Sequence, residues 1–405
     1  MRIRAEHLGT PLAIVAGLWL LVAFGLAWRA TGEPDDSLDD LEARFQLALE
    51  ALRKEYELPG MSAAFVLADG RHRSFATGWA DVERNVPMSA DSRMLAASIG
   101  KTFVAALTIM LAGNDTLDLD APIARWLGER DWFERLPNQD GLTLQRLLTH
   151  TSGLPDHVFQ PDFARALSGR WHEPGNPFPP EALVAFVLDA EPLFAPGEGW
   201  AYTDTGYILI GLVLEAATGK DYYELLEQRL LRPLELECTV PSDQRAIPGL
   251  AAGYISPDNP FGFPTRTTNE SGHLFWNPAL EWTGGGLASC PEDLARWGHA
   301  LFGGEVLSPR ELATMLQTTP MDAESPGRQY GAGVAVDKTD PRIPVYGHGG
   351  WIPGYTSSLR HYPGYGLTIA FQINSDRDVG KAVPEIESCL MHTIIGSASA
   401  NACTP

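Results

Sequence analysis

Beyond an apolar N-terminal run, this chain carries strand-forming sequence at its two ends, with a mostly helical, proline-punctuated block between. Strands so far apart reach one sheet only if the residues between them fold as their own layer. The near end is MSAAFVLADGRHRSFATGW, two strand-like runs around Asp69-Gly70, a hairpin signal. The far end is GAGVAV, TSSLRHY and LTIAFQIN, separated by Gly/Pro turns after Gly331, with a closing helix over Pro384 to Ile395. Between about Asp115 and Thr283, helical segments alternate with loops such as HEPGNPFPP and SPDNPFGFP. Leu38, Leu41, Phe45, Leu49, Leu52 and Tyr56 recur at helical spacing ahead of the sheet, and Pro59-Gly60 stops that helix. The expectation is an α/β (α+β) fold: an antiparallel sheet flanked by helices, from residues 38–114 and 284–405, with residues 115–283 as an inserted helical domain. A cleft between two such parts is a usual ligand site.

Arg2 and Arg4 precede the run PLAIVAGLWLLVAFGLAW. A basic start followed by an uninterrupted apolar stretch reads as a secretory signal or an uncleaved anchor over residues 1–30, with residues 31–37 as linker. Either way the remainder is expected to be exported, periplasmic or anchored on the outer side. The formal charge of −21 and the lack of a basic run exclude a nucleic-acid partner. Four cysteines, Cys238, Cys290, Cys389 and Cys403, contain no C-x-x-C; Cys389 and Cys403 are close enough in sequence to close a short loop, and free thiols are an equal alternative.

Three short segments carry chemistry. In ASIGKTFVAALTIML, Ser98-x-x-Lys101 opens a run apolar on nearly all faces, a buried helix. Ser98 would sit at its N-terminus, where free N–H groups and the dipole favour an oxyanion. Three-residue spacing brings Lys101 back beside the hydroxyl, where burial is expected to lower its pKa and make it a base. An N-cap serine followed by a surface lysine accounts for the same letters. In GWAYTDTGYILIGLVLEAATG, Tyr202-x-Asp204 precedes a long apolar helix. A phenol near an ammonium can shuttle protons, although on this segment alone a tyrosine at a helix start with Asp204 as N-cap is the better reading. In VYGHGGWIPGY, His348-Gly349-Gly350 ends a strand-like run, and the N–H of Trp351 is a candidate second oxyanion donor beside that of Ser98.

The order S-x-x-K, Y-x-N-like, H-x-G resembles the class C β-lactamases, D-alanyl-D-alanine carboxypeptidases, D-aminopeptidases and family VIII esterases. LTLQRLLTHTSGLP, TDTGYILIGLVLEAATG, GGGLASCPEDLARW and GHGGWIPGYTSS are similar to family signatures in the same order, from roughly Leu38 to Asp376. The resemblance implies Ser98 as acylated nucleophile, Lys101 as base or relay, Tyr202 as second acid/base and His348 as an anchor for leaving group or carboxylate. Two departures stand out. Asp204 replaces the family's frequent Asn and cannot donate to a substrate carbonyl. His-Gly-Gly replaces Lys-Thr/Ser-Gly, a weaker anchor for a β-lactam carboxylate. A peptidase or esterase acting on small molecules or peptides, including peptidoglycan-derived ones, is therefore expected over an efficient β-lactamase. The alternative is a sensor or scaffold that binds without turnover.

No G-x-S-x-G or H-E-x-x-H occurs, so no α/β-hydrolase elbow, metal or cofactor is expected. His150 and His299 read as structural, and Trp132, Phe261, Phe263, Trp276 and Trp282 as core packing.

Overall fold

The computed structural model describes residues 37–170, 175, 177–259 and 261–396. The apolar N-terminal run, residues 31–36 of the linker and Cys403 lie outside them. The chain separates into two units, up to Arg44 and from Phe45 onward. The described part of the first is the start of helix α1 (Leu38–Glu55). The second holds the sheets and all later elements.

Strands β1 (Gly60–Val66), β2 (His72–Asp81), β3 (Val86–Pro87) and β4 (Met94–Leu95) follow α1 and come before helix Gly100–Gly113. Strands β5 (Val240–Pro241) and β6 (Leu287–Ser289) lie deep in the chain, followed by β7 (Thr319–Pro320), β8 (Arg328–Tyr330) and β9 (Ala335–Asp337). The last three are β10 (Val345–Ile352), β11 (Tyr355–Tyr362) and β12 (Leu367–Ile373). Nine of them form one antiparallel sheet in the order β3-β2-β1-β12-β11-β10-β9-β8-β7. The two chain ends meet at its centre, where Ala63 stands opposite Phe371 on one side and Phe75 on the other. Buried on both faces, β1 and β12 are apolar nearly throughout rather than alternating.

On one face, Phe45 of α1 packs against Phe65 and Phe75, with ring centroids 5.2 and 4.7 Å away. The C-terminal helix (Val379–Ile395) covers the same face, where Glu387 accepts from Ser358 and pairs with Arg360. On the other face lies helix Pro291–Phe302; Gly298 allows the approach, since a Cβ there would come within 2.7 Å of Leu359. Phe103 of helix Gly100–Gly113 stacks on Trp297 at 3.9 Å, and the Trp297 indole donates to Thr102 Oγ1 at 2.8 Å. The helix that follows Ser98 is thus bolted to the layer that lies on the sheet.

Three local expectations change. GAGVAV is a strand only from Ala335, because Gly333, at φ +69°, turns the chain tightly against Lys101 O. His348 lies in the middle of β10, not at its end. A second small sheet, β4-β6-β5, has no signal in its two- and three-residue strands. Beside it Cys238 and Cys290 form a disulfide, a pairing that sequence left open. Phe263 stacks on Trp276 at 4.9 Å with both buried, and Phe261 and Trp282 are also buried.

Candidate active site

Ser98 stands in a single 3-10 turn (Ala97–Ile99) between β4 and helix Gly100–Gly113. Ala97 takes φ +48°, a left-handed value unusual for a residue with a Cβ, which persists only where surroundings over-determine it. The surroundings are glycines. A Cβ on Gly285 would come within 2.5 Å of the Ala97 carbonyl carbon, and one on Gly350 within 2.2 Å of Ala96 O. The turn is therefore gripped between helix Trp282–Gly285 and β10, at distances only glycine permits.

Lys101 is 0% exposed, and its side chain returns to Ser98 as the three-residue spacing dictates. Its Nζ donates to Ser98 Oγ at 3.3 Å and, more closely, to Asp204 Oδ1 and Gly284 O. The Tyr202 phenol donates to Ser98 Oγ at 2.8 Å, and Nζ lies 4.9 Å from the centre of its ring. Ser98, Tyr202 and Asp204 are half-buried while Lys101 is wholly enclosed, so the hydroxyl side of the cluster keeps some solvent contact and the amine has none.

The expected fall in the Lys101 pKa is not what this environment produces. Burial pulls it down, but the Asp204 carboxylate and Tyr202 outweigh burial and raise it, so the resting side chain is an ammonium. Burial raises the Tyr202 pKa, against the pull of Lys101, and keeps a neutral phenol. Two further carboxyls crowd the pair. Asp156 Oδ2 accepts the Asp204 N–H at 3.1 Å, and burial followed by the Asp204 charge pushes Asp156 up to about 7. The same two causes push Glu281 up to about 8.

His348 lies on the face of β10 shared with Gly350, but both its ring nitrogens are engaged. Nε2 bonds the Tyr330 hydroxyl at 2.8 Å, and Nδ1 meets Gly349 O at 2.6 Å. Burial pushes its pKa down to about 3, so the ring is neutral. Strand β9 pairs with β10 only over Val345–Gly347. Among the described residues no strand pairs with the Gly349–Gly350–Trp351 edge on that side, and the Trp351 side chain is 53% exposed.

Tyr330, Tyr207, Gly284, Asp156, Glu281 and His150 also line or support this cluster without having been singled out for it. Lone residues scattered over helices and loops carry no spacing signal; only the place of His150 within the LTHTSGLP segment, and of Asp156 directly after it, offered a clue. His299 sits on helix Pro291–Phe302 instead. Among the described residues no group of three His, Cys, Asp or Glu side chains is arranged to hold a metal ion.

The Beta-lactamase family profile matches residues 45–387. Penicillin-binding protein 4 of Amycolatopsis lactamdurans is 28% identical over 352 residues, covering 82% of this chain and 85% of its own. D-aminopeptidase of Gluconobacter oxydans is 27% identical over 348 residues, covering 83% of this chain but only 59% of its own. The crystal structure of a D-stereospecific amidohydrolase from Streptomyces sp. superposes with a TM-score of 0.72 at 29% identity, over 85% of this chain and 95% of that one. With the motifs in order and the sheet beneath them matched, the chain belongs to the Beta-lactamase family.

Proposed function

We propose that this serine hydrolase of the β-lactamase-like superfamily is acylated at Ser98 and turns over small amide or ester substrates. One observation carries the assignment: the half-buried Ser98 Oγ receives hydrogen bonds from both Lys101 Nζ (3.3 Å) and Tyr202 Oη (2.8 Å). Such a serine is the usual activated nucleophile, within hydrogen-bond reach of groups that move protons.

The proton inventory closes within the cluster. In the resting state Lys101 is charged, so it becomes a base only by passing one proton to Asp204, the carboxylate it already touches. The neutral amine then takes the Ser98 proton as Oγ bonds to the substrate carbonyl carbon. The Tyr202 phenol protonates the leaving amine or alkoxide and is refilled from Lys101, which recovers its proton from Asp204. Water repeats the sequence against the acyl-enzyme. The N–H groups of Ser98 and Trp351 serve as oxyanion donors, each typically worth about 3–4 kcal/mol of transition-state stabilisation.

Substrate preference follows from His348 and Asp204. A neutral, buried, doubly bonded His348 is a poor anchor for a β-lactam carboxylate. Asp204 presents an anion where an Asn would present an amide. Both favour D-amino-acid amides or peptides, including peptidoglycan-derived ones, or small-acyl esters, over penicillins and cephalosporins. The D-aminopeptidase and the D-stereospecific amidohydrolase support the amide arm. Arg2, Arg4 and the apolar run after them support export, so the substrate is met outside the cytoplasm.

The test is covalent labelling of the chain and its Ser98→Ala variant with a fluorophosphonate and a fluorescent penicillin. Turnover is followed in parallel on p-nitrophenyl esters, a chromogenic cephalosporin and D-amino-acid anilides. One label lost in Ser98→Ala, with turnover of esters or anilides, is expected. No label with any probe overturns the assignment, and a stable adduct without product release identifies a binding protein instead.

A further inference from the structure

His150 is 0% exposed and takes φ +58°, a left-handed backbone unusual for a residue with a Cβ. It lies in the loop after helix Leu144–Leu148, 52 positions before Tyr202, yet it touches both neighbours of that tyrosine. The Ala201 N–H donates to His150 O at 3.0 Å, and the Thr203 N–H donates to His150 Nδ1 at 3.2 Å. The imidazole packs on the Tyr202 ring with centroids 4.2 Å apart. Beyond it stands Tyr330, 4.7 Å away, whose hydroxyl bonds His348. The left-handed turn lets one residue aim its carbonyl and its ring at the same passing strand of chain.

Because Nδ1 accepts a main-chain N–H, the ring proton sits on Nε2, and this nitrogen is buried with no hydrogen-bond partner among the described residues. An unpaired buried donor and a strained backbone are both unfavourable in a residue that only fills space. The adjoining residues fasten the same stretch: Thr203 Oγ1 donates to Pro155 O at 3.2 Å, and His157 N–H donates to Thr205 Oγ1 at 2.9 Å.

We propose that His150 is the positioning residue for Tyr202, its carbonyl and ring nitrogen clamping the two amides that flank the tyrosine so that the phenol meets Ser98. The inference rests on the role assigned to Tyr202 above. It distinguishes His150 from an ordinary core histidine, whose loss would lower stability without acting through the phenol.

Three variants separate these. His150→Leu fills the site without an acceptor. His150→Gly accepts the left-handed backbone, also without one. His150→Asn tolerates that backbone and places an oxygen acceptor on Cγ, where Nδ1 stands. Ester hydrolysis is measured for each alone and combined with Tyr202→Phe, with kcat referred to sites titrated by fluorophosphonate. The expected result is a fall in kcat of about 10- to 100-fold for Leu and Gly with KM little changed. Most of it should return in Asn, and no further fall should appear in the Tyr202→Phe background. Wild-type turnover in Leu or Gly, or the same fold-loss with and without the Tyr202 phenol, overturns the inference. Should Leu not fold, the Gly and Asn variants decide it alone. If the unaltered chain carries no label at Ser98, the hydrolase assignment itself fails; retained activity in the His150 variants removes this inference only.

Discussion

The ammonium of Lys101, wholly enclosed, rests on the carboxylate of Asp204, whose side chain keeps 24% of its surface in solvent. An ion pair enclosed at one end and wet at the other can be tuned by whatever covers the wet end, because charges attract more strongly as water leaves. The first prediction follows from removing that charge. In Asp204→Asn, burial of Lys101 is no longer outweighed by the carboxylate, so its pKa falls. Fluorophosphonate labelling of Asp204→Asn should then rise with pH through a limb set by Lys101 itself, a limb absent from the unaltered chain, whose ammonium discharges onto Asp204. Stability should drop by about 1–3 kcal/mol from the lost charged hydrogen bond. Superimposable labelling profiles for the two chains would reject Asp204 as the group that sets Lys101.

A second prediction concerns Asp156, a buried carboxyl that burial and the Asp204 charge push up to about 7. The folded chain therefore holds this proton where the unfolded chain has released it. Its contribution favours folding in full below about pH 4 and is lost as pH rises to about 7. Asp156 accepts the Asp204 N–H on Oδ2 and the Val158 N–H on Oδ1. Asn at this position keeps an oxygen for one of the two and does not titrate, so its melts carry a constant offset but not this pH dependence. Between pH 5 and 7 the unaltered chain should lose stability relative to Asp156→Asn by up to about 1.4 kcal/mol per pH unit. Denaturant melts at several pH values read this directly, and parallel curves would refute it.

The third prediction addresses the small sheet. The Cys238–Cys290 disulfide closes a loop spanning 52 positions and ends beside β6, whose preceding residues include Gly284, a carbonyl partner of Lys101. Replacing both cysteines by serine should lower stability by about 2–4 kcal/mol through the freed unfolded chain. Activity at room temperature should persist while the active fraction at higher temperature shrinks. An unchanged melting temperature would show that the bond contributes nothing.

Much of this arrangement was readable before any coordinates. The hairpin around Asp69-Gly70 forms with Ala63 opposite Phe75, because turn chemistry and alternating side chains act over a few residues. The apolar stretch after Ser98 is a helix buried nearly all round, as its lack of a polar face required. The meeting of both chain ends in one antiparallel sheet also follows from where strand-forming residues lie. Strands of two or three residues, the halt of β9 before His348 and the turn at Gly331–Val334 were not readable, since each depends on a neighbour distant in the chain.

The sequence by itself determined which chemical groups are present, their order and their local spacing: an alcohol three residues before an amine, a phenol two before a carboxylate, paired glycines after a histidine. Tertiary structure alone decided their charge states and orientations. Lys101 reads as a lysine that burial should neutralise until folding sets Asp204, 103 positions away, against it. His348 reads as an anchor for leaving group or carboxylate until β10 buries it with both ring nitrogens bonded, one of them to Tyr330. The reason is electrostatic: whether a side chain bears charge depends on the water it loses and the partners it gains, and both come from segments that only the fold brings together.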